Sequence, residues 1–74
     1  MREVDTANLR FYMEKAGFRT IGDLSSASGI NRNTLAGVIN GKILPSSNIM
    51  SKLIETLQIP IAEAGPIFFS EKLA

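Results

Sequence analysis

The chain has 74 residues, 45% of them apolar and 20% charged, with a formal net charge of +1; a chain of that length buries only about 60% of its unfolded surface and supports one marginal core. With no cysteine and no histidine, disulfides, thiolate metal sites and zinc fingers are excluded, and so is imidazole catalysis. No apolar run approaches the roughly 18 residues of a membrane span, and the start MREVDTANLR has no signal-peptide core, so a cytoplasmic protein is expected.

Met1 to Val4 reads as a frayed lead-in, with Val4 available to the core. Asp5 or Thr6 caps a first helix running to about Ala16, with Leu9, Tyr12, Met13 and Ala16 on one face and Arg10, Glu14 and Lys15 pointing outward. Phe11 lies off that stripe. Gly17 ends the helix, and Phe18 is placed to plug the core beyond it.

Thr20 to Lys42 organises the chain. Thr20 is an N-cap with Asp23 three residues on, close to a capping box, and Ile21, Leu24 and Ala27 form a short apolar stripe. That helix stops at Ser28 or Gly29, where the chain turns sharply. Asn31 caps the next helix, in which Thr34, Leu35, Val38 and Ile39 keep a helical period until Asn40-Gly41 supplies a left-handed stop. Two short helices around one glycine turn is helix-turn-helix spacing.

Ile43-Leu44-Pro45-Ser46-Ser47 reads as a loop, because Pro45 disfavours helical backbone at Leu44 and the serines offer the next cap. A fourth helix is predicted from about Ser47 to Leu57, with Met50, Leu53, Ile54 and Leu57 as core positions. Pro60 opens a fifth, short helix through Ala64, which Gly65-Pro66 closes. The whole of 1–74 is then a single domain with its core in 5–65 and an apolar tail over 66–74. In that tail Ile67, Phe68 and Phe69 either cover the domain's own core or form a dimer contact.

From Thr20 to Ala64 the chain resembles, without a gap, the Cro and phage-repressor family. The resemblance is carried by Leu24, Gly29-Ile30, Arg32, Thr34-Leu35, Val38, Asn40-Gly41-Lys42, Pro45-Ser46, Leu53, Leu57 and Ile59. It implies an all-α, five-helix, lambda-repressor-like domain with the helix-turn-helix at helices 2 and 3, acting as a transcriptional regulator in a phage-type switch. In that register the recognition helix is 31–40, Arg32 and Asn33 reach base edges in double-stranded DNA, and Asn31 and Thr34 sit near phosphate or sugar. Thr20, Asn40 and Lys42 then hold phosphates. Small regulators of this kind often dimerise, which sets two recognition helices about 34 Å apart on the duplex.

Several positions depart from the family pattern. Arg19 lengthens the link between the first two helices by one residue, and Ile21 stands where relatives commonly have a glutamine. Where polar side chains are expected on the exposed side of the recognition helix the chain has Ala36, Gly37 and Ile39, and Ile43 and Leu44 extend the apolar character. The charge of +1 is low for a phosphate binder, although residues 9–58 hold six basic residues against three acidic ones, a net +3. An alternative follows: a modulator of repression, or antirepressor, whose surface Ala36, Gly37, Ile39, Ile43 and Leu44 covers the DNA-reading face of a partner repressor. No cofactor, metal, small-molecule substrate or catalytic constellation is indicated, so an enzyme is not expected.

Overall fold

Four of the five helices begin where a polar side chain takes up amides that the first turn leaves free. In the computed structural model, which describes residues 2–71, Asp5 opens α1 (Thr6–Lys15) by accepting from the Asn8 backbone N–H at 3.2 Å. Thr20 opens α2 (Ile21–Ser28) through Asp23 N–H at 3.0 Å. Asn31 opens α3 (Arg32–Ile39), its Oδ1 accepting from Asn33 at 2.9 Å and Thr34 at 3.3 Å. Ser46 opens α4 (Ser47–Leu57) through Ile49 N–H at 3.2 Å. Only α5 (Ile61–Phe68) has no side-chain cap; Pro60 precedes it, and the Pro60 carbonyl accepts from Glu63 and Ala64 at 2.8 and 3.1 Å.

The five helices enclose one core. Leu9, Leu24, Leu35, Val38, Leu53, Ile67 and Phe68 are its fully buried members, with Val4, Met13, Ile30, Ile39, Leu57 and Ile59 around them. No polar or charged residue is buried among the described residues, so burial of aliphatic and aromatic surface carries the stability, about 1.5 to 3 kcal/mol for each large side chain. Val4, Ile67 and Phe68 extend this core beyond the expected 5–65.

Five local readings are corrected. Arg2–Glu3, expected to be a frayed lead-in, forms β1, which pairs antiparallel with β2 (Ser70–Glu71) in the register Arg2 to Glu71 and Glu3 to Ser70. The fold is thus five helices plus a two-stranded clasp between the chain's ends. Gly65-Pro66 does not close α5, which runs through both to Phe68. A proline inside a helix costs about 3 kcal/mol, and the burial of Ile67 and Phe68, at 0% and 1% exposure, offsets it. On the first helix Ala16 is exposed, and Arg10 does not simply point outward: its Nη2 donates to Asn40 Oδ1 at 2.8 Å and, at the edge of bonding distance, to the Ile39 carbonyl at 3.4 Å. On α2 Ala27 is exposed, and the inner side is completed instead by Ser25 and Ser28, whose hydroxyls donate to the Ile30 and Leu24 carbonyls.

The tail also resolves. Ile67 and Phe68 are core residues, which removes them from the dimer contact considered above, while Phe69 stays 52% exposed beneath the Arg2 guanidinium at 4.3 Å. Met1 and the tail residues Lys72, Leu73 and Ala74 lie outside the described residues.

Candidate nucleic-acid interface

The turn between α2 and α3 is made by Gly29, at φ +75°, a conformation that side chains rarely adopt. Ile30 follows, buried at 2%, and anchors the turn, so the two helices are held in fixed relation by an apolar peg beside a glycine hinge. Asn31 then spends its Oδ1 on capping α3. That leaves Arg32 and Asn33, both exposed, as the first side chains of α3 free to reach outward. Thr34 is half-buried.

Arg32 also leans back over α2. A methyl group placed on Gly22 would lie 3.9 Å from the Arg32 guanidinium carbon and 3.8 Å from Thr20 Oγ1. The guanidinium and the Thr20 hydroxyl thus both lie near Gly22 at the first turn of α2, where the Thr20 Oγ1 accepts from the Asp23 N–H and Asp23 is the acidic residue of the turn.

At the other end of α3, Gly41 at φ +74° ends the helix, and the amides of Lys42 and Ile43 both donate to the Gly37 carbonyl, at 2.8 and 3.2 Å. Lys42 is exposed there. The Asn40 side chain is exposed too, but its oxygen is held by Arg10. The site residues fall into two groups: Thr20, Arg32 and the adjoining Asn31, Asn33 and Thr34 at the turn, and Asn40 with Lys42 at the far end.

A match to the helix-turn-helix family model covers residues 9–63, and its span centres on the two helices and glycine turn just described. The chain belongs to the Cro and repressor type of helix-turn-helix family. No curated protein and no solved structure matches it. In a helix-turn-helix the second helix enters the major groove, with its N-terminal residues toward the bases, while the first lies across the backbone. Here α3 is that second helix.

Two arginines that the sequence reading does not assign to the site lie beside it. Arg10, from α1, and Arg19, from the lengthened link, line a half-open cleft of about 770 Å³ together with Asn40, Glu14, Ile21 and Ile39. Arg10 meets Asn40 across 30 positions of sequence, so no local pattern could have paired them.

The apolar group is changed most by the structure. Ile39 is 3% exposed and lies on the inner side of α3 with Leu35 and Val38, as the one-, three- and four-residue spacings among these three require; it is not a surface residue. Gly37 is covered by its own chain, since a Cβ there would stand 2.8 Å from both Cδ1 and Cγ1 of Ile43. Ala36 is half-buried. Only Ile43 and Leu44 remain open, at 44% and 50% exposure.

Among the described residues no helix is long and apolar enough to cross a membrane.

Proposed function

We propose that this domain is a transcriptional regulator of a phage-type genetic switch, acting in the cytoplasm and binding operator DNA through α3. The observation that supports this most is the division of labour at the start of α3: Asn31 is consumed as the cap, which leaves Arg32 and Asn33 exposed at the end of the helix that meets the groove. Arginine can pair with guanine O6 and N7, and asparagine with adenine N6 and N7. Thr20 and Lys42 fix the docking register on the phosphates, joined by Arg10 and Arg19 from the cleft. Asn40 contributes by holding Arg10.

Fluorescence anisotropy against duplexes tiling the regulatory region beside the gene, at two salt concentrations, tests this. Sub-micromolar binding to one duplex, weakening with salt, is expected. Arg32→Ala should cost about 1 to 3 kcal/mol on that duplex and relax the preference at one base pair. A loss of the same size on every duplex would make Arg32 a phosphate contact, as its position over Gly22 also allows. Binding to no duplex above background would remove the DNA reading.

Ile43 and Leu44 favour a second reading, in which the domain binds a partner repressor as an antirepressor. With Ile39 internal and Gly37 covered, this surface reduces to those two residues and the edge at Ala36. Leu44→Asp should then abolish capture of the partner while leaving the fold unchanged.

A further inference from the structure

The outward side of α3 is not completed by α3 itself. At 3.6 residues per turn Gly37 points about 150° away from the middle of the buried stripe Leu35, Val38 and Ile39. Asn33, exposed one turn earlier, shares that side and stands about 6 Å back along the axis. At Gly37 the helix offers no side chain, and the space is taken by Ile43. A Cβ at position 37 would stand 2.8 Å from both Cδ1 and Cγ1 of Ile43 and 3.7 Å from its Cγ2. Glycine destabilises a helix interior relative to alanine, and here it makes room for a side chain from outside the helix.

The backbone holds Ile43 in place. Gly41 turns the chain back, and the amides of Lys42 and Ile43 both donate to the Gly37 carbonyl, so the residue that covers Gly37 is anchored to Gly37 itself. Its β-branch restricts χ1. The side chain still keeps 44% of its surface exposed: one part lies on the helix and the rest is open beside it.

Resting on the DNA-binding reading of α3 given above, we infer that Ile43 is a specificity-determining residue that packs against the 5-methyl group of a thymine. An aliphatic side chain neither donates nor accepts a hydrogen bond, and the apolar feature that base edges present in the major groove is that methyl group. The spacing of about 6 Å from Asn33 sets the thymine about two base steps from the base pair that Asn33 reads, at about 3.4 Å per step. The recognition surface is then composite. Arg32 and Asn33 supply hydrogen bonds from the helix, and Ile43 supplies an apolar contact from the loop that follows it. A methyl contact neutralises no phosphate, so it adds nothing to the salt dependence of binding.

The test uses the duplex selected by the anisotropy experiment. Each of its thymines is replaced in turn by deoxyuridine, which removes the 5-methyl group and keeps the O4 acceptor and the base pairing. One thymine in the stretch that a single chain covers should show a penalty of about fourfold, the effect of one buried methyl group. Ile43→Ala should weaken binding to the parent duplex by at least that factor, equally at both salt concentrations and with an unchanged circular dichroism spectrum, and should make the same deoxyuridine substitution neutral. A penalty at no thymine, or one that survives Ile43→Ala, on a duplex whose binding is lost in Arg32→Ala, overturns the inference and leaves the DNA reading standing. Binding to no duplex overturns both and returns Ile43 to the apolar surface offered to a protein partner.

Discussion

The helix-turn-helix and the closing end of the domain are held by different kinds of interaction. Across α2 and α3 the defining bonds are local: Thr20 to Asp23, Asn31 to Asn33 and Thr34, and the Gly41 stop with two amides on the Gly37 carbonyl. At the closing end they join opposite ends of the chain. Asp5 N–H donates to the Ile67 carbonyl at 2.7 Å, Arg2 Nε donates to the Phe68 carbonyl at 3.2 Å, and β1 pairs with β2. The first region is specified by neighbours in sequence, whereas the second exists only once the rest of the fold has formed. The helix-turn-helix is thereby built on self-sufficient caps, whereas the closing end is built on contacts between distant parts of the chain.

The largest expected effect separates the two regions directly. Phe68→Ala removes a fully buried ring from the closing end of the domain and should cost about 3 to 5 kcal/mol, a large part of the stability of about 4 to 11 kcal/mol expected at this length. Urea denaturation followed by circular dichroism would read it, and a loss under about 1 kcal/mol would contradict the role assigned to the burial of Phe68 at the closing end. Next comes a gain. Pro66→Ala restores an amide inside α5 and should raise stability by about 1 to 3 kcal/mol, visible as a higher melting temperature. No gain would mean that the proline in effect ends the helix there. The smallest effect belongs to the local region: Asn31→Ala removes the α3 cap and should cost about 1 kcal/mol, with amide exchange faster at Asn33 and Thr34 than at Ile67. Equal acceleration at both places would erase the distinction between the regions.

The same distinction explains which sequence readings held. The caps at Thr20 and Asn31 and the stops at Gly17 and Gly41 are decided within a few residues and lie where the sequence places them, while of the two alternatives left open at each point Asp5 caps α1 and Gly29 is the C-cap of α2. The family pattern, in which polar side chains are expected at these positions, is what assigns Ile39 to the groove side. Yet its spacing from Leu35 and Val38 already put it on the inner side, and at 3% exposure it is core. Gly37 was read as open because the chain that covers it, Ile43, follows after a turn whose direction the sequence does not state.

By itself, then, the sequence determined the helices of the motif, the glycine turn between them, the family and the exposed pair Arg32 and Asn33, since capping chemistry and helical period act over three or four residues. Tertiary structure alone decided that α5 continues through Pro66, that the ends of the chain pair, that Arg10 reaches Asn40, and that Ile43 covers Gly37. Those outcomes depend on which distant surfaces meet when the core closes. Burial of Ile67 and Phe68 outweighs a local helix-breaking preference only after α1 and α4 are in place to receive them.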